Sequence, residues 1–228
     1  MTPAIAWLIV GPLELWWAWV LTGGGVPARV AALFLAWCGV STTLVGLAYV
    51  FDRPGWLGKG RWWRWALAPI LLLARGVAAG AQRLGLVERV EVAPGLWVGG
   101  WPRRGAPGFA QLDLTAELPR RGSADAYHCV PMLDGAPPSA ERWEEAVAVA
   151  RAWRAEGRPV LIHCAFGHGR SVCVLIGVMV REGLVPGWED AHGVVKSVRP
   201  GARMTRAQRR VLEGRLGEPG PAFTPPGS

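Results

Sequence analysis

Two long apolar runs open the chain, and nothing beyond residue 87 resembles them. AIAWLIVGPLELWWAWVL at 4–21 and VAALFLAWCGVSTTLVGLAYVF at 30–51 each reach the roughly 17–25 residues that a helix needs to cross a bilayer. TGGGVPAR between them reads as a tight turn, so the two are expected to form a transmembrane hairpin within residues 1–52. Trp16, Trp17 and Trp19 cluster at one end of the first run, where interfacial aromatic belts sit. That run has neither a positive stretch before it nor a small-residue cleavage site after it, which separates it from a secretory signal. Glu14 inside it is expected to face Ser41, Thr42 or Thr43 of the second run, or to reach for the interface.

The next apolar run, WALAPILLLARGVAAGAQRLGL at 65–86, has another pattern. At about 100° per residue Arg64, Arg75 and Gln82 share one stripe, with Arg61 and Arg83 close to it, and Leu, Ile, Val and Ala fill the opposite face. Residues 53–86 are therefore expected to be a basic linker and an amphipathic helix in the membrane plane, basic residues on its wet face. The alternative is a third span carrying Arg75.

From Val87 short β-type runs alternate with helical ones. VERVEVAPGLWVGGWP predicts two short strands around Pro94-Gly95, FAQLDLTAEL a buried strand ending near Thr115, and AYHCVPMLDG another running into a turn. SAERWEEAVAVARAWRAEG predicts a helix over 139–157 from its Ser cap, early glutamates and terminal Gly. RPVLIHC is a short strand, SVCVLIGVMVREG a buried helix, and PGWEDAHGVVKSVRP and TRAQRRVLEGRLG two more helices. The alternation implies an α/β sheet covered on both faces, in a domain over 87–217 of about 130 residues, enough for one core. EPGPAFTPPGS at 218–228 reads as a disordered tail.

Composition sharpens the division. The first fifty residues carry two formal charges, Glu14 and Arg29, and nine of the fourteen tryptophans lie at or before Trp65. The net charge of +8 is carried almost wholly by arginine. No Lys/Arg block interleaves with aromatics, so nucleic acid is not expected as a partner, and anionic lipid head groups are. Arg53, Lys59, Arg61 and Arg64 follow the second span while the opposite loop has only Arg29, which places the later side in the cytoplasm. Cys38, Cys129, Cys164 and Cys173 have neither framework nor C-x-x-C spacing, so no disulfide scaffold, metal site or cofactor is expected, and a reducing compartment is.

The candidate chemistry lies in LIHCAFGHGRS at 161–171, where a strand enters a glycine-containing loop and then a helix beginning near Ser171. Backbone amides of Ala165, Phe166, Gly167, His168 and Gly169, with the helix N-terminus, can cradle an anion. Gly167 and Gly169 let the backbone curl, and Arg170 offers a planar fork matched to two phosphate oxygens. Cys164 at the base of that positive field is the expected nucleophile as thiolate, with Ser171 hydrogen-bonding its sulfur. Cys173 falls inside the apolar helix and reads as core, as does Cys129. His168 is placed to touch substrate or to be solvated.

HCAFGHGRS resembles the signature loop, H-C-x-x-G-x-x-R-S/T, of the cysteine-dependent protein tyrosine and dual-specificity phosphatases. GLWVGGWP, LDLTAELP and VRPGARMTRAQRRVLEGRL resemble further segments of that family, over about residues 94–215. The resemblance implies a dual-specificity-phosphatase-like α/β domain, a central sheet flanked by helices, behind the transmembrane hairpin. It also implies a general acid on a separate loop, and Asp134 in PMLDGAPPS, thirty residues before Cys164, is that candidate. Asp113 lies in a predicted buried strand and Asp125 in a polar loop too early in the chain. Some relatives pair a second cysteine with the nucleophile, a role open to Cys129. Lysine is missing at positions 165 and 168, where phosphoinositide 3-phosphatases of the family carry one, and so is the long phosphotyrosine-recognition segment of the classical tyrosine phosphatases.

The expected function is hydrolysis of phosphomonoesters through a phosphocysteine intermediate, on a lipid phosphate or a phosphoprotein. The expected location is a membrane, a bacterial inner membrane, with the catalytic domain in the cytoplasm. A catalytically silent membrane-bound phospho-binding adaptor is the alternative, and a sulfurtransferase loop a more distant one.

Overall fold

The computed structural model describes residues 3–58, 61–102, 104–118, 120 and 122–217; the expected tail lies outside the described residues. These fall into two compact units, one within 1–77 and 116–119, the other within 78–115 and 120–228.

In the first unit, α1 (Pro3–Leu21) and α2 (Val26–Val50) pack side by side. Both are long and apolar enough to cross a membrane. α2 begins four residues earlier than the expected 30, because Pro27 is tolerated in a first helical turn. Small residues set the contact: a Cβ at Gly39 would collide with Leu15 and the Gly11 carbonyl, and one at Gly46 with Leu8. Thr42 Oγ1 donates to Glu14 Oε2 at 2.9 Å, so the acid is held by the second helix. Trp16, Trp17, Trp19 and Leu33 point outward, each more than half exposed.

After the short α3 (Gly55–Gly58), the expected single helix over 65–86 is two, α4 (Arg61–Ala66) and α5 (Ala68–Arg83). Pro69 explains the break, since it has no N–H to give to a preceding carbonyl and its ring excludes one. Arg75 is half-buried, its Nε shielded and without a hydrogen-bond partner. Trp65, Leu72, Leu73 and Val77 are exposed.

The second unit is built on a five-stranded mixed sheet of order β1-β2-β5-β3-β4. Its strands are β1 (Val90–Ala93), β2 (Leu96–Gly99), β3 (Gly105–Thr115), β4 (Ser123–Met132) and β5 (Val160–His163). β1 and β2 form an antiparallel hairpin, and the other pairings are parallel. Asp125 lies within β4 rather than in a loop, and accepts the Gly108 N–H at 3.0 Å. Strand alternation gives the sheet two different faces. Leu96, Val98, Leu112, Leu114, Val160 and Ile162 form one face and meet α6 (Ala140–Ala155), α7 (Arg170–Arg181), α8 (Trp188–Val198) and α9 (Arg206–Leu216) in the core. Trp143 of α6 is fully buried there, its Nε1 donating to the Cys173 carbonyl at 3.3 Å.

On the other face Gln111, Asp113, Thr115 and His163 are also buried, but in a hydrogen-bonded layer. Asp113 accepts from Thr115 N at 2.8 Å, Thr115 Oγ1 at 2.7 Å and Tyr127 Oη at 2.9 Å, which satisfies a carboxylate in the interior. That layer also moves Cys129 out of the core: Val130 and Met132 point inward, so Cys129 is exposed instead of buried, its thiol 3.8 Å from the Thr115 carbonyl.

Candidate active site

β5 is central and every one of its residues is buried. It delivers Cys164 to the carboxyl ends of the parallel strands, where open α/β sheets place their ligands. The loop that follows is bound from several sides. Trp101 N–H donates to the Ala165 carbonyl at 3.1 Å, and Arg203 N–H to the His168 carbonyl at 2.9 Å. Arg199 Nη2 donates to the Phe166 carbonyl at 2.9 Å while its Nη1 donates to the Glu88 carbonyl at 2.6 Å. Pinning carbonyls outward leaves the amides to turn inward. Gly167 adopts φ +72, open to glycine at little cost, and a Cβ there would strike the Gly99 and Gly100 backbone. Its N–H donates to Cys164 Sγ at 3.2 Å. Gly169 caps α7, so that helix begins at Arg170.

Cys164 is 2% exposed, free, and 3.4 Å from Ser171 Oγ. Arg170 is buried with its guanidinium across the strand ends, Nη1 donating to the carbonyls of Met132 at 2.9 Å and Leu114 at 3.4 Å. Its Nε lies 3.2 Å from Asp134 Oδ1. The Asp134 side chain is 58% exposed and stands on the turn after β4. Asp134, Cys164, Phe166, His168 and Gly169 line one open cavity of about 210 Å³, with Gly135, Arg203, Thr205 and Gln208. The structure thus brings the candidates Cys164, Arg170, Ser171 and Asp134 together around the loop, while Asp113 and Asp125 do not line that cavity.

Supporting groups are tuned by burial. His163 is held below the ordinary histidine range by burial, with the Arg170 charge adding to it, against the opposing pull of Asp113 and the Cys164 backbone. It is thereby neutral, with the Gln111 amide nitrogen 2.8 Å from its Nε2. His168 is lowered by burial and by the charges of Arg199 and Arg203. Burial pushes the thiol of the core cysteine Cys173 up to about 12.

Residues that pattern reasoning missed hold this arrangement. Arg199 is 8% exposed, and no periodicity marks a buried arginine. Gln208 accepts Thr205 N–H at 3.0 Å in a capping box and reaches the Ala136 carbonyl at 3.5 Å, tying α9 to the Asp134 loop. Thr-x-x-Gln before a helix was the legible signal for it.

Residues 110–184 match the family described as "Polymorphic toxin system, DSP-PTPase phosphatase". Dual specificity protein phosphatase 12 of the mouse is 30% identical over 129 residues, which cover 50% of this chain and 37% of that protein. The chain thus spans well under half the length of this curated relative. A mouse putative dual specificity phosphatase solved with zinc tungstate superposes with a TM-score of 0.51 at 24% identity, covering 57% of this chain and 86% of the other. Human DUSP28 superposes with a TM-score of 0.50 at 22% identity, covering 57% and 93%. The sheet order and the cysteine loop at the end of its central strand coincide with these likenesses: the chain carries a dual-specificity-phosphatase-like fold, and its residues 110–184 are similar to that phosphatase family.

Proposed function

We propose that this chain is a membrane-anchored phosphatase that hydrolyses phosphomonoesters through a phosphocysteine intermediate. The observation that carries the proposal is that Cys164 and Asp134 line one open cavity, with Ser171 Oγ and the Gly167 amide on the Cys164 sulfur and Arg170 Nε beside Asp134. The Cys164 thiolate attacks phosphorus while the loop amides and Arg170 hold the oxygens that gain charge. The bond from phosphorus to the ester oxygen breaks as Asp134, in its acid form, gives that oxygen a proton. Asp134 then takes a proton from water, whose oxygen attacks the phosphocysteine; the sulfur leaves as thiolate, stabilised by Ser171. Asp134 lies beside Arg170 Nε, so substrate phosphate competes with it for that guanidinium. Purified protein should hydrolyse an aryl phosphate, Cys164→Ser should abolish turnover, and Arg170→Ala should lower it by about 100-fold or more. Asp134→Asn should slow alkyl phosphates by about 100-fold and aryl phosphates with good leaving groups far less. Near-normal rates in Cys164→Ser would remove the assignment and favour the binding-adaptor reading.

The substrate we infer is a lipid phosphate, and the anchor supports this, since a tethered site meets membrane-borne substrate at high effective concentration. α1 and α2 supply the anchor, with α5 in the membrane plane. α5 has 16 residues, about 24 Å of helix at 1.5 Å per residue, short of the roughly 30 Å hydrocarbon core. Its exposed Leu72, Leu73 and Val77 suit the acyl boundary. Turnover of lipid phosphates in vesicles, compared with phosphotyrosine and phosphoserine peptides, tests this; a strong preference for the peptides would overturn it.

A further inference from the structure

A larger cavity, of about 570 Å³, lies in the second unit and shares no lining residue with the site of Cys164. Arg83 at the end of α5, Arg89 before β1 and Arg104 before β3 all line it. None of the three has a carboxylate partner among the described residues, whereas Arg154, Arg158, Arg181 and Arg215 each pair with a glutamate. Arg89 is fixed in direction by the Phe109 ring, 4.8 Å from its guanidinium carbon, and that ring stands edge-on to Trp97. Leu161 gives the cavity an apolar floor. Gln82 also lines it.

These features specify a ligand. Three guanidiniums against the single carboxylate of Glu88 leave 3 − 1 = +2 at the cavity wall, which matches the −1.5 to −2, approximately, of a phosphomonoester at neutral pH. Arginine forks suit phosphate oxygens in pairs. We propose that this cavity is a second, non-catalytic binding site for a phosphomonoester, either a lipid head group or its free counterpart. The proposal does not rest on the catalytic assignment of Cys164.

The test uses the full chain carrying Cys164→Ser, purified in an uncharged detergent, in equilibrium dialysis against two labelled probes. One is glycerol 3-phosphate and the other dihexanoyl phosphatidylglycerophosphate, each bearing a phosphomonoester and a hydroxyl. Arg89→Ala/Arg104→Ala should weaken one class of bound probe by at least about tenfold, the loss expected for a charge-assisted hydrogen bond. Glu88→Gln should tighten the same class about threefold by removing the opposing charge. Binding of both probes there marks a free-anion site, and binding of the lipid probe alone a head-group site. Arg104→Ala alone, at an exposed position, guards against misfolding, and with Cys164 intact it should hydrolyse aryl phosphate at an unchanged rate. Probe binding that is the same in the unsubstituted, doubly substituted and Glu88→Gln chains would overturn the proposal, whatever the fate of turnover.

Discussion

Three histidines, His163, His168 and His192, are each held below the ordinary histidine value chiefly by burial, with neighbouring arginine or lysine charge adding to it. A group whose folded value is depressed binds its proton more readily in the unfolded chain. Its contribution is therefore complete above the unfolded value, about 6.5, and is lost as pH falls toward the folded value. The melting midpoint of the full chain in detergent should accordingly fall as pH drops from 6.5 to 5.5, before most carboxylates titrate. A flat midpoint over that interval would show that the buried imidazoles carry no such linkage. At this scale the sequence was informative where chemistry dictates residue type. Cys164, Gly167, Arg170 and Ser171 are legible because an anion cradle requires them in that order. Cys129 was misplaced because strand direction decides which face a residue takes, and a single apolar residue does not reveal it. Arg199 was invisible because its partners are backbone carbonyls at residues 88 and 166, remote in sequence.

At the scale of elements, the helices and strands follow from periodicity and caps, as α6 shows, starting after Ser139 with its side chain accepting the Arg142 N–H. What periodicity does not carry is the order β1-β2-β5-β3-β4, which depends on non-local pairing, or the break between α4 and α5. The α6–α7 contact makes one element-level prediction. Gly177 in α7 faces Trp143, and a Cβ there would penetrate the indole ring and crowd Val147. The ring is fully buried and cannot swing aside. Gly177→Ala gains up to about 1 kcal/mol of helix propensity, but overpacking costs about 1–3 kcal/mol. The urea midpoint should therefore drop; an unchanged or higher midpoint would mean that the helices separate freely.

At the scale of the whole molecule, the proposal that the catalytic unit faces the cytoplasm rests on two spans and on the basic residues after the second, Arg53 and Arg64 among them. A third crossing through α5 would invert that side and carry Arg75 into the bilayer, at about 2.5–3.5 kcal/mol on insertion scales. Reporters fused after Ser228, one fluorescent only in the cytoplasm and one active only outside, distinguish the two. Internal fluorescence is expected, and external activity alone would show that α5 spans.

The double grip of Arg199 on the Glu88 and Phe166 carbonyls also sets where the catalytic unit can be cut free for crystallisation or assay. A fragment starting at Val90 would keep every strand and helix of the sheet domain. It would nevertheless lose the Glu88 carbonyl, half of what holds a nearly buried guanidinium, and the Val87 carbonyl that accepts the Gly100 N–H at 3.0 Å. Beside the bonds from Trp101 and Arg203, the loop after Cys164 would then be held at Phe166 by a side chain with one anchor in place of two. The usable cut therefore falls upstream of Val87, outside any regular strand, and so close to where the change of pattern along the sequence starts the domain.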